Sequence, residues 1–212
     1  MVVQIISGFR GSGKTTFLNQ CIEQVKGKTA VIQNDFGAQA VDRENAEGSL
    51  IYEEIGEGCI CCGMALEFEE KMRRIAMEDC PDRIFIEASG FGKLSDVVKV
   101  CTQLKEKEHL EMVIGPNVTV VDIGMVEAYA SGLGEFYVDQ IEHAGVILVN
   151  NIDSDDVESE EIEEGWKALE RLNTKALKIE DAREVLKSVM EIRKRRSKSS
   201  DRRRYAYKIS WS

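Results

Sequence analysis

Short apolar runs alternate with longer amphipathic stretches along most of this chain. A nearly continuous apolar run indicates a strand buried on both faces, whereas apolar positions that recur every three or four residues indicate a helix with one buried side. The runs that predict strands are 2–6, 30–33, 83–87, 117–121 and 145–149. The stretches that predict helices are 15–25, 64–78, 94–107, 135–143, 156–171 and 181–193. This alternation indicates an α/β fold of three layers, in which a mainly parallel sheet carries helices on both faces.

The charge is spread unevenly along the 212 residues. The net charge is −10 at neutral pH, yet residues 193–212 contain nine Lys or Arg and one Asp. Residues 1–192 therefore carry −18, which argues against nucleic acid as a partner. Near the C-terminus, large residues alternate with smaller or polar ones in a strand pattern, at Tyr205, Tyr207, Ile209 and Trp211. We therefore predict one domain over 1–192, and over 193–212 a basic linker with an edge strand or partner-binding segment; the alternatives are a flexible tail and the stub of a lost domain.

A glycine-rich stretch between the first predicted strand and the first predicted helix has the spacing of a phosphate-binding loop. The pattern Gly-x-x-x-x-Gly-Lys-Thr opens at Gly8 and closes at Thr15, and the glycines let backbone N–H groups approach phosphate oxygens. Lys14 would reach the β- and γ-phosphates, and the Thr15 hydroxyl would ligate Mg²⁺. The residues expected to bind the nucleotide here are Gly8, Gly11, Ser12, Gly13, Lys14, Thr15 and Thr16. The loop predicts a P-loop NTPase fold; the alternative is a glycine-rich turn that precedes a helix by chance.

Acidic residues at the ends of two other predicted strands are candidates for catalysis. Asp35 follows the second strand, in the position of the segment that senses the γ-phosphate, and Asp35 or Asp42 would orient a water or contact Mg²⁺. Glu87 ends the third strand, where such NTPases place a carboxylate that binds Mg²⁺ through water, and the N–H of Gly90 would meet the γ-phosphate. Together with Lys14 these carboxylates form the predicted catalytic set. For the stretch that contains Asp35 and Asp42, the alternative is an acidic surface loop.

Three thiols lie within four residues, at Cys59, Cys61 and Cys62. Thiolates are soft ligands that suit Zn²⁺, Co²⁺, Ni²⁺ or Cu⁺, and a cation would be needed to hold three neighbouring thiols ionised. Adjacent cysteines tend to point apart, so a tetrahedral site would take ligands from elsewhere. The candidates are Glu57, Cys80, His109, His143 and a second subunit. The alternatives to a transition-metal site are a redox switch and inert buried thiols.

The fifth predicted strand runs into Asn150-Asn151-Ile152-Asp153, which we interpret as a base-recognition sequence. A carboxylate at Asp153 can accept the N1–H and the 2-amino group of guanine together, whereas adenine offers neither donor. Asn150 and Asp153 are therefore assigned to nucleotide binding, with Asn173 and Thr174 as a possible second base-contacting loop. The alternative is that Asp153 only begins the acidic run 153–164, which has eight Asp or Glu in twelve residues.

Taken together, GFRGSGKTT, NDFG, GCICC, IEASG and NNID, in this order and spacing, resemble the CobW-like GTPases, relatives of the nickel-insertion GTPases that serve urease and hydrogenase. The resemblance runs from Met1 to about Ile179. It implies slow GTP hydrolysis with Mg²⁺, a transition-metal site at Cys59, Cys61 and Cys62, and delivery of metal to a client metalloenzyme or a cobalamin-pathway protein. It also implies a homodimer.

Three features depart from the family pattern. Asn151 replaces the lysine whose stem packs over the base, only about 30 residues follow Ile179 where the family has a larger C-terminal domain, and histidine-rich tracts are absent. We therefore expect a C-terminally reduced member.

Two other functions are compatible with the same loop. A P-loop small-molecule kinase would need arginines over its second substrate, for which the middle of the chain offers only Arg73, Arg74 and Arg83. A nucleotide-gated thiol or metal sensor would need no hydrolysis. No apolar run is long enough to span a bilayer and no signal-peptide pattern is present, so we expect a cytoplasmic protein with no membrane partner.

Overall fold

The computed structural model describes residues 1–34, 41–42, 48–56, 63–154 and 156–191. The strands are β1 Val2–Ser7, β2 Thr29–Gln33, β3 Leu50–Glu54, β4 Arg83–Glu87, β5 Val113–Ile114, β6 Val118–Asp122, β7 Val146–Asn150 and β8 Leu177–Ile179. The α-helices are α1 Lys14–Gln24, α2 Ala65–Arg74, α3 Leu94–Lys107, α4 Val126–Gly132, α5 Glu135–Glu142, α6 Ser159–Leu172 and α7 Ala182–Glu191. A π-helical turn, Ile75–Asp79, continues α2, and a 3₁₀ turn, Ile123–Met125, precedes α4.

The described strands form one sheet in which the pairings are parallel, so the predicted α/β fold is confirmed. The strand order is β3-β2-β4-β1-β6-β7-β8, and the short β5 pairs with the start of β1. Because the strands run the same way, their carboxyl ends meet along one side of the sheet, which we call the carboxyl edge. The opposite side, where the strands begin, is the amino edge.

Helices cover both faces of the sheet, which gives the three predicted layers. Alternate residues of the central strands point to opposite faces, and those strands are buried throughout. Helices α2 and α3 pack on one face against Val3, Ile5 and Ile84, while α1 and α7 pack on the other against Ile6 and Phe85. Helices α4, α5 and α6 enclose a third apolar cluster over β6 and β7.

The five strands and six helices predicted from the sequence are present with boundaries that differ by a few residues. The sequence analysis missed the edge strand β3, the two-residue β5, the terminal strand β8 and the short helix α4. The helix predicted over 64–78 is α-helical only to Arg74, and the π turn after it ends at Cys80 with a left-handed φ of 49°. Among the described residues, no helix combines the length and apolar character needed to cross a bilayer.

Candidate nucleotide and metal site

The loop between β1 and α1 has a backbone that only glycine tolerates at two points. Gly8 has φ 138°, and a Cβ there would lie 2.2 Å from the carbonyl oxygen of Val120. Gly13 has φ 102°, and a Cβ there would lie 2.7 Å from Nδ2 of Asn150. These two glycines therefore let the loop fold tightly against the ends of β6 and β7.

The first turn of α1 presents its N–H groups toward this loop. Gly13 precedes the helix and has no side chain with which to cap it, so an anion can take the partners that a cap would otherwise supply. Lys14 is 3% exposed, and its Nζ donates to the carbonyl oxygen of Phe9 at 3.1 Å. The lysine thus lies under the loop, where its charge would meet a phosphate group.

A buried carboxylate lies beside the loop at the end of β4. Glu87 is fully buried, and its Oε1 accepts a hydrogen bond from Oγ1 of Thr15 at 2.5 Å. Its Oε2 accepts from Nε2 of Gln33 at 2.8 Å. A hydroxyl and a carboxylate provide the hard oxygen atoms that Mg²⁺ prefers, so this pair fits the ion that accompanies a nucleoside triphosphate.

The segment after β4 packs directly on the phosphate-binding loop. A Cβ on Gly90 would lie 2.7 Å from the backbone nitrogen of Arg10, so only glycine allows this approach. Gln140 on α5 is fully buried, and its Nε2 donates to the carbonyl oxygens of Gly90 at 3.0 Å and Gly92 at 2.8 Å. Sequence reasoning missed Gln140, although a glutamine on the buried side of an amphipathic helix is a signal of such a role.

The residues assigned to base recognition separate into different roles. Asn150 donates from Nδ2 to the carbonyl oxygen of Ser12 at 2.8 Å, and so ties the phosphate-binding loop to β7. Asn151 adopts φ 66°, a conformation that asparagine tolerates well, and its Nδ2 donates to Oδ2 of Asp122 at 2.7 Å. Asp153 is exposed at the same edge, where its carboxylate is accessible to a ligand.

The suggested role of Asn173 in a base-contacting loop is wrong. Its Nδ2 donates to three carbonyl oxygens, those of Ile141, Glu142 and Ala144, at 2.7 to 3.3 Å. Its Oδ1 accepts from the backbone N–H groups of residues 175 and 176 at 3.0 and 2.9 Å. The side chain is buried and its amide group is hydrogen-bonded to backbone groups, so Asn173 is a structural residue of the turn before β8.

A cavity of about 160 Å³ adjoins the loop on the side of β6. Phe9, Tyr129 and Tyr137 form an aromatic cluster on its walls, with ring centroids 4.7 to 6.3 Å apart. Within the described part of the chain, the buried hydroxyl of Tyr137 and Oδ1 of Asp122 have no hydrogen-bond partner. Burial raises the pKa of Tyr137, with smaller contributions from Asp122 and Tyr129, so the phenol stays protonated.

Asp35, Glu57, the three clustered cysteines and the predicted linker with its edge strand over 193–212 lie outside the described residues. The described residues on either side of 57–62 are Gly56 and Gly63, which lie at the carboxyl edge because β3 ends and α2 begins there. A Cβ on Gly56 would lie 3.2 Å from the Met64 methyl, so the two flanks of the segment are neighbours. Among the described ranges, no three His, Cys, Asp or Glu side chains are grouped as a metal would require.

Three of the other proposed metal ligands lie at the opposite end of the sheet. Cys80, His109 and His143 follow the π turn, α3 and α5, and each stands just before the chain enters a strand at the amino edge. A strand of five residues is about 17 Å long, so these side chains are remote from the flanks of 57–62. Within one chain, they are therefore not the additional ligands.

Two cysteines of the described chain are buried and inert. Cys21 on α1 and Cys101 on α3 have no exposed surface. Burial raises the pKa of the Cys101 thiol to about 12 and raises that of Cys21 further, which leaves both protonated at neutral pH. Because the thiolate is the reactive form, neither thiol is a metal ligand or a nucleophile.

Most of the chain matches a known protein family. Residues 2–180 match the family described as CobW/HypB/UreG, nucleotide-binding domain. The chain is 27% identical to the zinc chaperone YeiR of Escherichia coli K12 over 165 residues, which cover 76% of this chain and 50% of YeiR. It is 29% identical to the zinc-regulated GTPase metalloprotein activator 1 of Dictyostelium discoideum over 197 residues, covering 71% of this chain and 40% of the activator.

The fold also matches solved structures. The crystal structure of the hydrogenase maturation factor HypB from Archaeoglobus fulgidus superposes with a TM-score of 0.58 at 18% identity, covering 88% of this chain and 87% of that one. This likeness supports the fold alone. The chain spans about half the length, or less, of the two curated relatives that it matches.

Proposed function

Because the chain belongs to the CobW/HypB/UreG family of nucleotide-binding domains, we propose that it is a GTP-binding, slowly GTP-hydrolysing metal chaperone. One observation carries the proposal: the Thr15–Glu87 pair and both flanks of the thiol-bearing segment 57–62 lie on the same edge of one sheet. A nucleotide site of hard oxygen atoms and a cargo site of soft sulfur atoms can therefore influence one another.

Hydrolysis in this proposal depends on position and charge. The loop amides and Lys14 hold the phosphates, and Thr15 and Glu87 would hold Mg²⁺, which when bound neutralises charge that develops between the β- and γ-phosphates. Gly90, whose carbonyl oxygen accepts from Gln140, would offer its N–H to the γ-phosphate. Asp35 remains our prediction for orienting the attacking water. No other base is assigned, so we expect slow turnover until a second copy or a client completes the site.

Base choice in this proposal rests on Asp153. Its exposed carboxylate matches the two donors on the guanine edge. Asn150 holds the strand end on which Asp153 is presented, through its bond to the loop carbonyl of Ser12. Asn151 is engaged with Asp122 instead of reaching over a base, so we expect guanine to be chosen but held weakly.

The cargo in this proposal is Zn²⁺, or Co²⁺ or Ni²⁺, bound by Cys59, Cys61 and Cys62. YeiR is named as a zinc chaperone and the Dictyostelium relative as a zinc-regulated activator, which favours zinc. Since Cys80, His109 and His143 lie at the amino edge, a fourth ligand would come from Glu57, a second copy of the chain or the client. A cobalamin-pathway client, the homodimer and a cytoplasmic location remain predictions of the sequence.

Two of the three arginines named for a small-molecule kinase are engaged elsewhere. Arg83 begins β4 at the amino edge, and its guanidinium is buried against the last carbonyls of α7, with Nη1 2.9 Å from the oxygen of Val189. Arg74 pairs with Glu53 on β3. Neither is placed to clamp a second substrate over the phosphate-binding loop.

The test is a titration of reduced, metal-free protein with Zn²⁺ in competition with a chromophoric chelator, combined with phosphate release from GTP and from ATP. We expect tight Zn²⁺ binding that Cys61→Ser weakens by at least tenfold, with GTP affinity within twofold of the native value. Cys80→Ser is the matched control and should change neither. Saturation with GTP in a protein whose thiols bind no divalent ion would overturn the chaperone, and phosphate transfer to a small acceptor would establish the kinase.

A further inference from the structure

We propose that Gln33 and Tyr52 are positioning residues that transmit a change in the hydrogen bonding of Glu87 to the edge strand β3. They would thereby couple the nucleotide site to the segment 57–62. The coupling to metal rests on the function proposed above, whereas the link from Glu87 to β3 does not. Neither residue belongs to a motif in the sequence. Both are identified by their hydrogen bonds alone.

The strand register brings the three elements into one row at the carboxyl edge. Glu87 of β4 lies opposite Gln33 of β2, and Gln33 lies opposite Glu54 of β3. Gln33 thus stands between two carboxylates on neighbouring strands. It is 6% exposed, so its amide must be satisfied by protein groups.

The amide of Gln33 is bonded at both ends. Nε2 donates to Oε2 of Glu87 at 2.8 Å, and Oε1 lies 2.5 Å from the hydroxyl of Tyr52. Glu87 in turn accepts from the hydroxyl of Thr15, a residue of the predicted nucleotide site. A continuous line of hydrogen bonds therefore runs Thr15, Glu87, Gln33, Tyr52, with each bond polarising the next.

Among the described residues, the Tyr52 hydroxyl has one proton and two acceptors. Its oxygen lies 2.5 Å from Oε1 of Gln33 and 2.7 Å from Oε1 of Glu54. A phenol donates one hydrogen bond at a time, so the two acceptors compete for it. This competition gives the line two alternative arrangements, which is what a coupling element requires.

How strongly Glu87 bonds to Gln33 decides which of the two acceptors receives the hydrogen bond of Tyr52. When Glu87 holds Gln33 strongly, the polarised amide oxygen of Gln33 is the better acceptor and keeps the Tyr52 proton. If Glu87 gave an oxygen to the hydration shell of a bound Mg²⁺, its hold on Gln33 would weaken. The Tyr52 hydroxyl would then donate its hydrogen bond to Glu54, at the exposed end of β3.

The end of β3 is also tied to the helix that follows the thiols. Lys71 of α2 donates to the carbonyl oxygen of Glu54 and pairs with Glu67 at 3.0 Å, and Arg74 of α2 pairs with Glu53. Ile55 donates its N–H to the carbonyl oxygen of Gln33 at 2.9 Å. A change at Glu54 therefore acts on the end of β3, which precedes 57–62, and through Lys71 on helix α2, which follows it.

The experiment compares the native chain with Tyr52→Phe, which removes only the hydroxyl, and with Gln33→Met, which removes the amide and keeps the length. Tyr129→Phe is the matched control, because it removes a tyrosine hydroxyl on α4, away from this line. The first readout is backbone hydrogen exchange at residues 50–55 with and without Mg²⁺ and a non-hydrolysable GTP analogue. The second is the Zn²⁺ affinity under the same two conditions.

In the native chain and in Tyr129→Phe, we expect the analogue to change exchange at 50–55 and to change Zn²⁺ affinity by about 5- to 150-fold. In Tyr52→Phe and Gln33→Met we expect the exchange response to disappear and the change in Zn²⁺ affinity to fall below twofold. Tyr52→Phe should bind the analogue within twofold of the native affinity. The inference is overturned if Tyr52→Phe keeps the native exchange response, or if the native chain shows none. A native chain that binds no Zn²⁺ but keeps the exchange response refutes the chaperone and leaves the link from Glu87 to β3 standing.

Discussion

Replacing Glu87 by glutamine is the most informative single change at the nucleotide site. The carboxylate is fully buried and accepts from Thr15 and Gln33 at 2.5 and 2.8 Å. Glutamine keeps the shape but removes the charge: its amide oxygen can still accept from Nε2 of Gln33, while its NH₂ group can donate to the Thr15 hydroxyl. A buried charge without its cation is costly, so we expect the nucleotide-free variant to be no less stable than the native protein.

The effect of Glu87→Gln should be a loss of ligand affinity, which appears only when Mg²⁺ and GTP are present. Hydrogen bonds to charged groups contribute about 1.5–3 kcal/mol, so losing this charge should weaken Mg²⁺-dependent binding by about 10- to 150-fold. At 100 times its dissociation constant, a ligand stabilises the native state by about 2.7 kcal/mol, and a 30-fold loss reduces that to about 0.9 kcal/mol. For a chain of this size, the thermal shift should fall from roughly 5–11 °C to roughly 2–4 °C.

The assay is thermal unfolding of the native chain and Glu87→Gln, each with no ligand, with a GTP analogue and EDTA, and with the analogue and Mg²⁺. Glu135→Gln is the matched control, because Glu135 is exposed and pairs only with Lys93 among the described residues. The reasoning is refuted if Glu87→Gln keeps the full Mg²⁺-dependent shift and the native rate of phosphate release. It is equally refuted if the nucleotide-free variant is strongly destabilised, because Glu87 would then have a structural role.

Three further predictions concern residues around the site. Asn173→Ala should lower the free energy of unfolding in urea by about 2–4 kcal/mol, since it removes several short buried hydrogen bonds, and should leave GTP affinity unchanged. Maleimide should label Cys80 in the native protein but spare Cys21 and Cys101, and the free energy of unfolding should fall as pH rises above about 9, because these thiols ionise only once unfolded. Asn151→Lys should tighten GTP binding by about tenfold without changing the preference over ATP, and should cost about 1–2 kcal/mol in stability because lysine is disfavoured at a left-handed φ; isothermal titration and urea unfolding measure both effects.

The central strands and the long helices could be predicted because burial on both faces, or on one helix side, leaves a periodic pattern in the sequence. The strand β3 leaves none, since Leu50–Glu54 is a half-exposed edge strand that ends in two glutamates. Helix α4 is short, ends at Gly132 and is followed by Gly134, so its few apolar positions resemble a loop. These elements form because neighbouring strands and helices cover them, which local sequence does not reveal.

The residues of the candidate site likewise include some that the sequence predicts and some that it does not. The tight glycine turns, and the placement of Lys14, Thr15 and Glu87 beside the loop, could be predicted because the glycine spacing and the carboxylate at a strand end form a recognisable pattern in the sequence; the roles of these residues toward phosphate and Mg²⁺ remain predictions. Gln33 and Gln140 could not, because each acts on backbone or side chains about 50 residues away in sequence. Asn173 was misassigned for the converse reason, since a polar residue near a base-binding edge and one that satisfies buried carbonyls look alike in sequence.

Two physical routes can connect the nucleotide site to the thiols, and they are separable. Strands β4, β2 and β3 are adjacent, so Glu87 and the end of β3 are two strand spacings, or about 10 Å, apart. Charges at that distance influence each other directly, but salt screens such a field over about 8–10 Å at physiological ionic strength. A hydrogen-bond line through Gln33 and Tyr52 is buried in part and insensitive to salt. Coupling that survives Tyr52→Phe but declines between 50 and 500 mM salt would therefore be a field effect, whereas coupling that is lost in Tyr52→Phe and constant with salt in the native chain belongs to the hydrogen bonds.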